Sequence, residues 1–345
     1  MRIKAAVLAV LFAAVAASPS HAAKYKIHWY LGHPNLDAFE EAAADFKKAV
    51  EKGSKGDISV EIVTAAPDAN DSSSIAAKVA SGEVEMGHSF TDVVSAVDPR
   101  LMAFEAPYLL RDDRHMEGVL EGPVGADLLD GLRKNGIVGL SFTYSGGASA
   151  VATTGRELRR PEDLKGLKVG VYGDKVNDAW LKSLGATPVA IEHKLSSINR
   201  LAKEGALDAV VVTWRNFDRE KLDQSFKTVN LAGSTYLVSM TYVNEKFFNG
   251  LPAEYRTLIK NASRAAGIVE RAKTIDLNES AKRAVTARGV RQVRLTEAGR
   301  RAFETALKPA YADSIESLIG KGLIEKIRST PDAVEPAPAG RVAVR

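Results

Sequence analysis

Between Arg160 and Gly185 the chain passes from a turn into a strand, and from the strand into a helix. Pro161 suits a first helical position, and Glu162 and Asp163 suit a first turn. Gly166 can break that turn and release the short apolar strand Leu167–Val171. Asp174 then offers an N-cap for a helix reaching Leu184, with Gly185 as its stop. Such a unit leaves the C-terminal end of its strand open to a ligand. The start of the chain follows the same plan. Lys26–Leu31 reads as a strand, and a helix from about Leu36 to Glu51 carries Phe39, Ala43, Phe46 and Val50 on one stripe. Ile58–Val63 then alternates as a second strand, so the fold class expected is α/β.

An internal echo points to two similar halves. Ala80–Met86 and Lys203–Ala209 each read as a helix end, a Gly stop, two residues, an acid, and the start of a strand. The strands release Ser89-Phe90-Thr91 and Thr213-Trp214-Arg215. Two lobes presenting such strand ends would face one another across a cleft. The competing reading is that helix–Gly–strand units recur in any α/β protein. Further helices are expected at Ser72–Ala80, His115–Leu132 and near Ser196–Lys203. Val138–Tyr144, Ala209–Val212, Tyr236–Val243 and Val290–Leu295 read as strands, with Ser145–Ser149 a glycine-bearing crossing between lobes. From Pro252 to about Arg288 a helix is expected, with Tyr255, Leu258, Ile259, Ala262, Ala266 and Val269 as its apolar stripe. At 1.5 Å per residue it would run roughly 50 Å, long enough to lie along both lobes.

Met1–Lys4 is basic, Ala5–Ala17 is apolar, and Ser20-His21-Ala22 fits a small-residue cleavage site. Residues 1–22 therefore read as a secretory signal, and their removal would take away Arg2 and Lys4 and bring the formal charge of +4 nearer to neutral. That balance does not point to nucleic acid. The chain has no cysteine, so an exported form would have neither a disulfide framework nor a lipid-bearing cysteine. A soluble periplasmic protein is expected, stabilised by its core; 45% of the 345 residues are hydrophobic, enough to build one. The Pro- and Ala-rich tail, residues 329–345, is expected to be mobile.

Enzyme chemistry finds little support. There is no cysteine nucleophile, no G-x-S-x-G elbow, no P-loop and no dinucleotide fingerprint. The histidines, at 21, 28, 33, 88, 115 and 193, include no i, i+4 pair, so a zinc-hydrolase spacing is absent and no metal or cofactor is expected. Asp112-Asp113 reads as a solvated turn.

The segment Arg160–Val171 resembles the "rP-x-DLKGLKiRv" signature of the solute receptors of TRAP transporters, the dicarboxylate-binding-protein family. Phe104–Leu109 resembles the family's "fe-x-Pfl" segment, and Leu184–Pro188 and Gly205–Ala209 extend the likeness over nearly all of the chain beyond residue 22. The resemblance implies a two-lobed periplasmic-binding-protein fold, with hinge strands and a long helix spanning both lobes. It implies lobe I over residues 23–147 plus 237–275, and lobe II over 148–236 plus 276–328. It also implies capture of a small solute by lobe closure and delivery to a TRAP membrane permease, by a protein working mostly as a monomer. Family members hold a ligand carboxylate with the Arg of "KiRv", a role suited to a planar guanidinium. Here Gly170 stands at that position, and a second family Arg is matched by Ser149.

Arg215 is the expected substitute, because it follows a strand end beside Trp214; the alternative is a solvent-facing loop Arg. Trp214, Phe90, Tyr144 and Tyr236 are candidates for an aromatic wall, or for packing alone. His33, Asn35, Ser89, Thr91, Ser149 and Thr213 offer neutral hydrogen bonds, Gly170 leaves room for a bulkier ligand, and Tyr172 stands beside it. Two functions follow. One is a TRAP-type receptor for a small polar organic solute, an organic acid held by Arg215. The other is a periplasmic enzyme or interaction protein that has reused the fold and lost the usual arginines.

Overall fold

The computed structural model describes residues 22–32, 37–64, 72–171, 175–191, 197–232, 235–311 and 315–333. The expected signal over residues 1–22, apart from Ala22, lies outside them, as do the tail beyond 333 and His33, Asn35 and Tyr172. The first half runs β1 (Tyr25–Leu31), α1 (Asp37–Gly53), β2 (Ile58–Val63), α2 (Ser72–Ser81), β3 (Met86–Phe90) and α3 (Thr91–Val94). A 3-10 turn over Pro99–Glu105 leads to α4 (Asp113–Glu121), α5 (Pro123–Gly131) and β4 (Ile137–Thr153). The helix expected over His115–Leu132 is thus two helices. Pro123 lacks the N–H that a continuing helix needs, so it opens a second one.

The second half runs β5 (Lys168–Val171), α6 (Lys175–Ser183), β6 (Thr187–Ala190), α7 (Ile198–Lys203), β7 (Ala209–Thr213), α8 (Trp214–Arg219) and β8 (Thr228–Asn230). Then follow β9 (Tyr236–Asn244), α9 (Glu245–Gly250), α10 (Ala253–Ala287), β10 (Arg291–Val293), α11 (Glu297–Tyr311), α12 (Ser317–Ile319) and α13 (Lys321–Ser329). The internal echo is real in the backbone. Gly82 and Gly205 stop their helices at φ +83° and +71°, a conformation that costs other residues, and β3 and β7 each run straight into a short helix.

The strands form one sheet in the order β2-β1-β3-β9-β4-β7-β5-β6, with β8 also on β4 and β10 on β8. Pairing is parallel within each half, β1 with β2 and β3, and β5 with β6 and β7. The halves are joined antiparallel through β4 and β9. The crossing expected at Ser145–Ser149 is made inside β4, a single strand of 17 residues with a register shift between Tyr144 and Gly147. β9 pairs with β4 from Ile137 to Ala148, with register shifts between Gly139 and Ser141 and between Tyr144 and Gly147, while β7 pairs with it from Ser149 and β8 from Val151.

α10 is 35 residues long, about 50 Å, and it covers the edge of β4 that β7 leaves open. The expected apolar stripe holds in the first half of the helix, where Ile259 and Ala262 are buried and Tyr255 and Ala266 pack on the same core. Further on it does not: Val269 is 55% exposed, whereas Ser263, Gly267, Glu270, Arg271 and Thr274 are buried. The helix is docked on polar strand-edge groups, and so it presents donors and acceptors there rather than apolar side chains.

The tail is tied down as far as Ala333. Arg111 donates to the carbonyls of Arg328 and Thr330 and to the carboxylate of Asp332, and the Ala333 N–H donates to the Arg114 carbonyl.

Candidate cleft between the lobes

Side chains alternate across a strand, so each face of the sheet can be followed along β4. On one face Phe142, Tyr144 and Val151 belong to a single apolar cluster that runs through both halves. On the other face the packing is interrupted. Val138 and Leu140 join Trp29, Phe39 and Phe46 under α1, while Ala150 and Ala152 join Val210, Val212, Trp214 and Phe217. Between these two cores the face carries polar groups. The His88 ring stacks on Phe39 with centroids 3.7 Å apart, and its Nε2 lies 2.8 Å from the Thr143 hydroxyl. That hydroxyl lies 2.8 Å from the Ser239 hydroxyl. A buried polar relay thus lies between two separate apolar cores, where β3, β4 and β9 meet.

The expected site residues divide around this relay. Phe90 is half-buried at the end of β3, on the same face as His88. Trp214 is 8% exposed and packs on Phe217 in the second core. Thr213 caps α8 by accepting the Asn216 N–H at 3.3 Å. Arg215 is half-buried in the first turn of α8, and its backbone N–H donates to Asn278 Oδ1 at 3.2 Å. The Asn278 amide donates in turn to the Gly146 carbonyl, joining α10, α8 and the crossing of β4.

Other residues are turned elsewhere. Tyr144 and Tyr236, ring centroids 6.4 Å apart, stand in the continuous cluster of the opposite face. The Ser89 hydroxyl is 2.7 Å from that of Tyr242, in the same cluster. Thr91 donates to the Val238 carbonyl, and Ser149 is bonded to Thr235 through Oγ at 2.7 Å. The space beside Gly170 is closed. A Cβ there would meet Leu207 and Ile191 at 3.3–3.4 Å, so this position completes an apolar core.

Sequence reasoning missed the polar residues of α10. Glu270 is 1% exposed and accepts the Tyr144 N–H and the Thr274 hydroxyl, each at 2.7 Å. Burial pushes its carboxyl up to about 7, against those two bonds and the nearby charges of Arg271 and Arg215. Arg271, fully buried, donates to the Phe142 carbonyl at 2.6 Å and to Glu117 and Glu121 of α4. Burial likewise raises Asp113, which is hydrogen-bonded to Tyr236, with Asp112, Glu279 and Glu117 adding to the effect. The only signal in the sequence was a small-residue and polar spacing, Ser263, Gly267, Glu270 and Thr274, within a helix that otherwise reads as amphipathic. Among the described residues no cluster of His, Asp or Glu is arranged to hold a metal. None of the described helices is long and apolar enough to cross a membrane. Two surface cavities, about 700 and 460 Å³, lie away from the relay, one beside Tyr25, Gly82 and Asn244 and the other beside Tyr108, Arg300 and Lys308.

Residues 31–318 match the model of the bacterial extracellular solute-binding proteins, family 7, also called DctP. The chain belongs to this family. The receptor is 26% identical over 290 residues to the C4-dicarboxylate-binding periplasmic protein DctP of Rhodobacter capsulatus, covering 84% of this chain and 86% of that protein. Its fold matches a TRAP periplasmic solute-binding protein from Ochrobactrum anthropi with a TM-score of 0.81 at 20% identity, over 89% of this chain and 94% of that one. A TRAP periplasmic solute-binding protein from Ralstonia eutropha, with bound (S)-2-acetolactate, matches at a TM-score of 0.75 and 25% identity, over 89% of this chain and 98% of that one. The receptor is thus a TRAP-type solute-binding protein of two-lobed α/β architecture. Its family is extracytoplasmic, and its relatives are binding proteins.

Proposed function

We propose that the receptor captures a small polar organic acid between a lobe of residues 23–147 plus 237–275 and a lobe of residues 148–236 plus 276–328. It then delivers the acid to a TRAP membrane permease. The observation that carries this reading is the interruption of apolar packing on one face of β4, with a hydrogen-bonded polar relay left between two cores. The ligands named for the relatives, a C4-dicarboxylate and 2-acetolactate, support an organic acid. In this reading Arg215 supplies the cation and Trp214 and Phe90 the apolar walls. The receptor works in the periplasm as a monomer, with neither cofactor, metal nor nucleic acid and without chemical turnover.

A thermal-shift screen of the mature receptor against organic acids, sugar acids, amino acids and aromatic acids tests this. Saturable stabilisation by an acid, with the acid recovered unchanged, is the expected result. Product formation without stabilisation would favour an enzyme that has reused the fold.

A further inference from the structure

The end of the chain is fastened to the first turn of α4, and His115 lies under the fastening. Its side chain is fully buried, and both ring nitrogens are in use. Nδ1 accepts the Arg111 backbone N–H at 3.1 Å, because an amide N–H can only donate. Nε2 donates to the Ile327 carbonyl of α13 at 2.9 Å, because a carbonyl can only accept. The two contacts together hold the imidazole neutral, in one tautomer. Beside it the Arg111 guanidinium donates to the carbonyls of Arg328 and Thr330 and to Asp332, and the Ala333 N–H donates to the Arg114 carbonyl. The tail lies so close on α4 that a Cβ on Gly118 would collide with the Pro331 carbonyl. Upstream, α11 packs on α6, and a Cβ on its Gly299 would stand 2.7 Å from the Arg159 carbonyl oxygen; both partners follow the crossing strand β4. α12 packs instead on the turn Pro99–Glu105, and α13 on α4, both of which precede β4. The C-terminal helices are thus a strap laid from the second half of the molecule to the first.

We propose that His115 is an acid-sensitive latch: protonation of its ring releases the end of α13 and residues 330–333 from α4, and so loosens the strap between the two halves. A protonated imidazole donates from both nitrogens. Its Nδ1–H would face the Arg111 N–H, donor against donor, and the buried amide would lose its acceptor. The charged groups around the ring are Arg111, Asp112 and Arg114 from α4 and its lead-in, and Arg328 and Asp332 from the strap. Burial holds the imidazole below its ordinary value, with Arg111 adding to the effect, against the Ile327 carbonyl, Asp332 and Asp112. Neither carboxylate is there for the ring alone: Asp332 accepts from the Arg111 guanidinium, and Asp112 from the His115 backbone N–H. A released ring in water protonates near the ordinary 6.5, whereas the fastened ring resists. The fastened state therefore keeps its full stability above pH 6.5 and loses it as pH falls below that value.

Amide hydrogen exchange of the receptor at about pH 7.5 and pH 5.5, corrected for the intrinsic exchange rate, reads the latch. Protection of the Arg111 and Ala333 amides is expected to fall about tenfold between the two, while the amides of β1 and β2 keep theirs. His115→Gln supplies a neutral donor and acceptor that cannot take up a proton, and its Arg111 and Ala333 amides should be equally protected at both values. Should that variant fail to hold the tail at either pH, the nitrogen-15 shifts of the His115 ring in the unaltered receptor decide. An Nε2–H tautomer at the higher pH, protonating in step with the loss of protection, supports the latch. Protection that stays constant down to the lower pH, an equal fall in the Gln variant, or a protonated ring under a tail that is still protected overturns it.

Discussion

The carboxylate of Glu270 accepts the backbone N–H of Tyr144 at 2.7 Å, and the next residue, Arg271, donates to the carbonyl of Phe142 at 2.6 Å. Two adjacent side chains of opposite charge on α10 thus replace the strand that β4 lacks along this edge. Ser263 extends the seam through the Ser141 hydroxyl at 2.8 Å, and Asn278 extends it to Gly146. The edge is closed against other strands, and the spanning helix is locked in register with the strand that crosses between lobes.

Stability should carry the mark of Glu270 between pH 4.5 and about 7. Its folded value lies above the ordinary 4.5, so the folded state keeps a proton that the unfolded chain gives up. Its contribution is complete below pH 4.5 and is lost as pH rises to about 7, by on the order of 3 kcal/mol. Urea unfolding of the receptor and of Glu270→Gln across this range should show the gap shifting in favour of the Gln variant as pH rises. Parallel curves would mean that Glu270 is not buried as described.

Arg271→Ala removes the buried guanidinium from the seam and strands Glu117 and the Phe142 carbonyl. A loss of about 3–5 kcal/mol is expected from denaturant unfolding. Glu121→Gln should cost less than about 1 kcal/mol, because Glu121 is 26% exposed and loses only charge there. Equal effects of the two changes would contradict the seam.

Gly267→Ala tests how closely α10 approaches β4. In an open helix the change would stabilise by about 1 kcal/mol. Here the new Cβ would stand 2.7 Å from the Phe142 carbonyl oxygen, a backbone atom that cannot swing aside. A net destabilisation of about 1–3 kcal/mol is expected, read as a lower melting temperature. A higher one would show that the two backbones have room between them.

Arg215→Ala is expected to weaken binding of an anionic solute about tenfold or more, a loss of about 1.4 kcal/mol or greater. The Arg215 bond to Asn278 is made by the backbone, so that link between α8 and α10 survives the substitution. Unchanged affinity would remove Arg215 from the cleft.

Much of this architecture was legible in local pattern. The alternation of Ile58, Val60 and Ile62, the stripe on α1 and the stops at Gly82 and Gly205 each act within a few residues, and each produced the expected element. The family signature at Arg160–Val171 likewise lies where a turn enters β5. Sidedness was harder to read. Tyr144, Tyr236 and Ser89 stand near the crossing, but strand alternation, and for Tyr144 the register shift between Gly139 and Ser141, set them on the face away from the polar relay.

The sequence by itself determined the α/β class, the paired βα plan, the spanning helix and the family, because short-range periodicity, turn chemistry and motif spacing specify these. Only the tertiary structure decided which polar residues are inside. Glu270 and Arg271 look like surface residues of an amphipathic helix until β4 is known to offer an unpaired edge beside them. The reason is that the burial of a charge depends on partners supplied by distant segments, and no local pattern records those partners.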